Sequence, residues 1–235
     1  MKIETFFGNK LGICTKEEFD NLTVEQMEGV DTAFFCEYKA KIANRSFQYG
    51  DTVLVSKLTC KNKDLSQVSL CINSCFYALH YVFKGDVLGA WCKKGEIEGM
   101  DFDVDAGKIS LTKDKDCIIA ITALPQASLY GFQCKTLFGF VAGDQHWVCE
   151  KGNTHNIPKD KSVNVHEYYD VVEKEGYVEC TVDFFERGVG KMQACGSGAF
   201  CVGMHLFKIH GKEVVVKTEN GDKYFVNENT ISVEI

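Results

Sequence analysis

The sequence predicts an α+β protein of two pseudo-symmetric halves, each a β-sheet or barrel wrapped around a central α-helix. Two stretches carry the duplication. Cys71 to Lys84 and Cys195 to Lys208 lie 124 positions apart, and in that register Cys71, Phe76, Phe83 and Lys84 meet Cys195, Phe200, Phe207 and Lys208. Both run apolar nearly all round, which is how a helix enclosed on every side reads. A sheet curled around a helix produces that enclosure. The remaining chain reads mostly as short runs rich in β-branched and aromatic residues, and no proline-rich or low-complexity linker separates the halves. The boundary is placed near residue 106. An N-terminal half, 1–106, holds the Cys71 helix and takes in 228–235 as a returning strand; a C-terminal half, 107–227, holds the Cys195 helix.

Taken in order, Lys2 to Phe7 opens as a strand ending at Gly8-Asn9. Thr15 and Glu18 form a capping-box pattern before a short helix. Thr32 to Ala43 and Asp51 to Thr59 read as strands, and Lys61 to Ser69 as a polar loop feeding the first cysteine helix. Beyond that helix come strands over Glu96–Val104, Lys108–Thr112, Cys117–Ala123, Ser128–Lys135 and Leu137–Glu150. Lys151 to Lys161 is a loop, and Val163 to Lys174 reads as a short helix. Tyr177 to Phe185 is a strand. After the second cysteine helix, Glu213–Lys217 and Lys223–Val226 flank an Asn220-Gly221 hairpin turn. A last strand covers Thr230 to Ile235.

The chemistry concentrates in Glu186 to Cys201, ERGVGKMQACGSGAFC. A strand, a glycine turn and a helix start gather unpaired N–H groups and a positive helix end, which bind a carboxylate and lower the pKa of a thiol seated there. Cys195 is therefore a candidate reactive thiolate, and Gly196 to Gly198 a candidate carboxylate cradle. The alternative is a small-residue helix start with a buried, inert cysteine. Cys71, Ile72, Asn73 and Ser74 repeat the arrangement half a chain earlier.

The chain has 235 residues, 45% apolar, with a net charge of −7. No basic run suggests nucleic acid or an anionic membrane as partner. No signal-peptide core or membrane-length apolar run stands out, so a cytoplasmic protein is expected. Twelve cysteines raise metal and disulfide readings. No two are separated by only two residues, which leaves zinc-knuckle spacing unmet, so no metal is expected and most cysteines read as reduced and buried. The histidines other than His146 show no metal-ligand spacing.

On these motifs the chain resembles the diaminopimelate epimerases, the pyridoxal-phosphate-independent family that uses two cysteines as acid and base. ERGVGKMQACGSGA is similar to that family's second cysteine motif. Leu70-Cys71-Ile72-Asn73-Ser74 resembles its first, Cys-Gly-Asn-Gly, with both glycines replaced. Gly143-Asp144-Gln145-His146 resembles a Gly-Asn-Pro-His segment, with Asp144 for asparagine. The resemblance implies that Cys71 and Cys195 are catalytic with Glu186 and His146 in support. It implies that Asn62, Ile72, Asn73, Asp144, Asn164, Arg187, Gly196 and Ser197 bind substrate. It also implies the same two-half architecture with the site between halves. The family's N-terminal asparagine falls on Leu11 or, with a slipped register, Asn9; a glutamine position falls on Thr52.

The implied activity is inversion of an amino-acid α-carbon by two thiols, without a cofactor. The substrate is diaminopimelate or a free amino acid with a polar or basic side chain such as histidine. The expected partner is that small molecule, with a homodimer as the assembly considered. Two alternatives stand beside this reading: an isomerase of the same fold with another substrate, as in phenazine biosynthesis, and a non-catalytic binding or redox-sensing protein. The last draws on Ile72, whose bulk sits where the cradle needs room.

Overall fold

A computed structural model describes residues 1–43, 52–68, 70–84, 99–104, 107–114, 118–123, 128–131, 136–141, 144–153, 163–228 and 230–234. The chain opens with β1 (Lys2–Phe6) and β2 (Asn9–Ile13), followed by α1 (Lys16–Asp20), β3 (Thr32–Ala43), β4 (Thr52–Asn62), β5 (Gln67–Val68) and α2 (Ile72–Lys84). Next come β6 (Gly99–Val104), β7 (Gly107–Asp114), β8 (Ile118–Ala123), β9 (Ser128–Gly131), β10 (Thr136–Val141) and β11 (Asp144–Glu150). The chain ends with β12 (Asn164–Glu173), β13 (Tyr177–Glu186), β14 (Gly190–Met192), α3 (Gly196–His210), β15 (Glu213–Lys217), β16 (Lys223–Val226) and β17 (Ile231–Glu234).

The sheet has the same order twice. In the first copy β1–β2 is antiparallel, β2–β3 parallel, β3–β4 antiparallel, β4–β6 parallel, and β6–β7–β8 antiparallel. In the second, β10–β11 is antiparallel, β11–β12 parallel, β12–β13 antiparallel, β13–β15 parallel, and β15–β16–β17 antiparallel. The helices α2 and α3 take the same place, as crossovers between the parallel pairs β4–β6 and β13–β15. The copies join where β17 pairs with β8. The expected architecture, two sheet-rich halves around two helices, is therefore present. The expected boundary near residue 106 falls outside the described residues.

Burial explains why neither helix has a polar face. Cys75, Phe76, Ala78 and Leu79 of α2, and Ala199, Phe200, Cys201, Val202 and Leu206 of α3, all lie in one continuous core. The last turn of α3 emerges at Lys208 and Ile209, before Gly211 caps it in the left-handed conformation at φ 66°. That geometry is cheapest for glycine.

Four elements differ from the sequence expectation. The span 163–174 is strand β12, not a helix: its valines and tyrosines suit a pleat, and it is paired on both sides, by β11 and β13. Leu137–Glu150 is two strands, β10 and β11, paired antiparallel. β2 follows Gly8 directly, because Phe7 and Gly8 at φ 52° and 75° close a two-residue hairpin of the kind whose twist matches paired strands. The 61–69 stretch, expected to be loop, contains the short β5.

α3 packs tightly on β16. A Cβ on Gly203 would lie 2.4 Å from Val226 Cβ, and Val226 is wholly buried. Gly203→Ala, which would gain about 1 kcal/mol in an open helix, is expected here to destabilise by roughly 1–3 kcal/mol through overpacking. A lowered urea midpoint with unchanged slope is the expected readout; a raised midpoint shows that this face of α3 has room.

Candidate active site

The site begins where the two helix starts meet. Cys195 is the N-cap of α3, and its Sγ accepts from the Gly198 amide at 3.3 Å. Cys71 stands at the matching place before α2: its carbonyl accepts from the Cys75 amide at 3.1 Å, as the Cys195 carbonyl accepts from the Ala199 amide at 2.8 Å. The helix starts touch. A Cβ on Gly196 would lie 2.6 Å from Ile72 Cγ2 and 3.0 Å from Asn73 Oδ1. Ile72, standing where the resembled family has glycine, therefore has its room because position 196 is glycine.

Two ties cross between the copies at this point. The Asn9 side chain donates to the Ala194 carbonyl at 2.7 Å and accepts from the Ala194 amide at 3.1 Å, fixing the residue before Cys195. The Tyr224 hydroxyl donates to Asn73 Oδ1 at 2.8 Å, fixing the first turn of α2. All four residues are buried.

One cleft is lined by all twelve residues that the resemblance names as catalytic or substrate-binding. Cys71, Ile72 and Asn73 line it from the start of α2, and Cys195, Gly196 and Ser197 from the start of α3. Asn62 enters from the end of β4, Asp144 and His146 from β11, Asn164 from β12, and Glu186 and Arg187 from the end of β13. Asn9 also lines it, whereas Leu11 is wholly buried in the core, so the slipped register is the one this fold places at the cleft. The Thr52 side chain lies outside the described residues. Asn164 works as a bracket: it donates to the Gln145 carbonyl at 3.2 Å and accepts from the Arg187 amide at 2.9 Å. At the rim, Arg187 Nη2 lies 3.4 Å from Asp144 Oδ1.

The two sulfurs are tuned in opposite directions. A hydrogen bond from the buried Cys60 thiol holds Cys71 below the usual thiol range against the opposing effect of burial, with help from the Ser74 amide and the Thr32 hydroxyl. Burial raises Cys195 well above that range, and the nearby Glu186 carboxyl adds to the shift by charge and hydrogen bonding. Burial in turn pushes Glu186 up to about 7. His146, also buried, is pushed down to about 3, and its Nδ1 meets His166 Nε2 at 2.8 Å. The nine described cysteines are all free thiols.

No family model matches the chain, and no curated protein does. Solved structures do. A phenazine biosynthesis protein PhzF family structure from Enterococcus faecalis superposes with a TM-score of 0.53 at 14% identity, over 98% of this chain and 90% of that one. A probable proline racemase from Agrobacterium radiobacter K84, with bound carbonate, gives 0.53 at 10% identity, over 97% and 87%. A hydroxyproline epimerase from Agrobacterium vitis, with bound trans-4-hydroxy-L-proline, gives 0.50 at 10% identity, over 87% and 72%. The fold is theirs. At such identities the likeness carries the architecture alone.

Sequence reasoning missed Cys60, Thr32 and His166. Thr32 pairs with Asn62 across β3–β4, and Cys60 sits two residues before Asn62, so strand register brings both beside Cys71. His166 carried the same signal in β12, hidden by the helical reading of that segment. Among the nine described cysteines, Cys71 is expected to react first with iodoacetamide at neutral pH, being partly exposed and held toward thiolate. Cys60→Ala is expected to slow that labelling, with peptide mass spectrometry as the readout; unchanged labelling removes Cys60 from the account.

Proposed function

We propose that this protein is a cofactor-independent amino-acid racemase or epimerase, with Cys71 and Cys195 as its acid–base pair. One observation carries the reading: two thiols at two abutting helix starts line a single cleft and are tuned apart. Inverting an α-carbon needs one group to take a proton from one face and another to return one from the opposite face. Cys71, held toward thiolate, removes the α-proton: an S–H bond forms, the C–H bond breaks, and its electron pair passes toward the carboxylate. Cys195, held as thiol, delivers its proton to the other face and becomes the thiolate. Glu186, beside Cys195 and near neutral in pKa, can re-protonate it between turnovers.

The helix starts supply what a cofactor otherwise would. First-turn amides have no partner within their helix and point outward with the positive end of the helix dipole. Asn73, Gly196 and Ser197 line the cleft where the α-carboxylate would sit. Charge shifted onto that carboxylate in the transition state is stabilised there, away from water.

The substrate reading follows from the rim. Asp144 and Arg187 face each other and form an ion pair, so a side chain bearing one charge must break that pair and leave a member unmatched. A side chain ending in both an ammonium and a carboxylate replaces it on both sides. This favours a diaminopimelate-type substrate over histidine, which is the second choice.

Incubating the protein with an amino-acid mixture in heavy water tests the activity: deuterium entering one α-position with loss of stereochemical purity is expected. Deuterium at a carbon other than the α-carbon would favour an isomerase of the same fold with another substrate instead. Cys71→Ala and Cys195→Ala are each expected to lower racemisation by several orders of magnitude, while Cys75→Ala and Cys201→Ala, in the core, leave the chemistry intact. Near-normal turnover in either of the first two ends the two-base mechanism. Asp144→Asn is expected to lower kcat/KM about ten-fold for a substrate with a distal ammonium, one decade being about 1.4 kcal/mol, and to spare small neutral amino acids. Equal losses on all substrates would give Asp144 a structural role.

A further inference from the structure

Behind Cys195 lies a cluster that the racemase reading does not use in full. His146, on β11, and His166, on the neighbouring β12, stack with ring centroids 5.2 Å apart and 24° between planes. The ligating atoms of these two rings and Cys195 Sγ all lie within 4.8 Å of one another, and all three residues are buried. We propose that His146, His166 and Cys195 form a binding site for a borderline-soft divalent metal ion, Zn²⁺ in class.

The donor set and its spacing fit. At Zn–N of about 2.0–2.1 Å and Zn–S of about 2.3 Å, tetrahedral ligand atoms stand roughly 3.3–3.6 Å apart. Here the two facing imidazole nitrogens are at 2.8 Å, and no separation exceeds 4.8 Å, so small side-chain rotations reach that range. Three protein ligands leave a fourth position on the cleft side, the pattern of an accessible site rather than a closed structural one. A cation beside a helix start is opposed by the helix dipole; the Cys195 thiolate and the Glu186 carboxylate next to it offset that charge.

The chain makes room for the second imidazole: a Cβ on Gly198 would lie 2.4 Å from His166 Cε1, so glycine at 198 is what seats this ring beside the start of α3.

Binding balances simply. The Cys195 S–H bond breaks, a metal–sulfur bond forms, and the proton leaves to solvent. The imidazole that donates across the 2.8 Å contact moves its proton to its other ring nitrogen, so that both facing nitrogens offer lone pairs. One proton is released per metal. A metal on Cys195 also withdraws that sulfur from proton transfer, so occupancy would inhibit racemisation. That consequence rests on the proposed function; the site itself does not.

The test needs no substrate. The full chain, reduced with a non-chelating phosphine and stripped of metal, is titrated with Co²⁺. One equivalent is expected to raise a thiolate-to-cobalt charge-transfer band, and Zn²⁺ should displace it; titrating metal-free protein with Zn²⁺ should release about one proton per metal bound. Cys195→Ser should abolish the band. His166→Gln should weaken binding at least ten-fold, and His146→Gln serves the same arm should that variant fail to fold. No band at one equivalent overturns the proposal. So does a band that survives in Cys195→Ser, which would place the metal on other thiols, or wild-type affinity in the histidine variants.

Discussion

The contact on which the rest depends is the approach of the two helix starts at Gly196 and Ile72. With less than 3 Å between a hypothetical Gly196 Cβ and the Ile72 side chain, no side chain larger than hydrogen fits at 196 unless one of the helices moves. The helices cannot move freely, because each start is tied to the opposite copy of the fold. Asn9 holds Ala194 by two hydrogen bonds, and Tyr224 holds Asn73 by one. All of these are buried, so loosening one leaves polar atoms unmatched. Ile72 is thus accommodated by glycine at 196, and the two helix starts are complementary rather than symmetric.

That asymmetry extends to the sulfurs. The two cysteines occupy equivalent positions in the repeated topology, yet their surroundings differ. Cys71 sees donors: the Cys60 thiol, the Ser74 amide and the Thr32 hydroxyl. Cys195 sees an acid, Glu186, beside the Gly198 amide. A near-symmetric scaffold thereby biases one thiol toward thiolate and the other toward thiol, the difference on which the proposed two-base inversion rests.

Much of this was legible in the sequence, for identifiable reasons. Strands bounded by strong turn signals, such as Glu213–Lys217 and Lys223–Val226 around Asn220-Gly221, read to the residue. The helices read from their apolar circumference, and the cleft from motifs that keep their residues close in sequence. What failed depended on neighbours through space. Residues 163–174 are held as a strand by β11 and β13, and β2 by a hairpin whose first turn residue, Phe7, is not a turn-former. Cys60, Thr32 and His166 reach the site only through strand register. The same holds for the His146–His166–Cys195 cluster, whose members are too far apart along the chain for any spacing rule to join them.

Burial sets the terms for all of it. Enclosing the helices removes the water that would otherwise screen their dipoles, which strengthens the field of their N-terminal ends in the cleft. The same enclosure disfavours every charge placed there, and it is the largest influence on Cys195, Glu186, His146 and His166 alike. A charge persists in such a place only where donors are supplied to it, as they are to Cys71, or where a counter-charge stands beside it, as Arg187 stands beside Asp144. The cleft is therefore selective by default: it accepts groups whose charges its own donors and counter-charges can match, and the enclosure that the two-half fold provides makes that matching decisive.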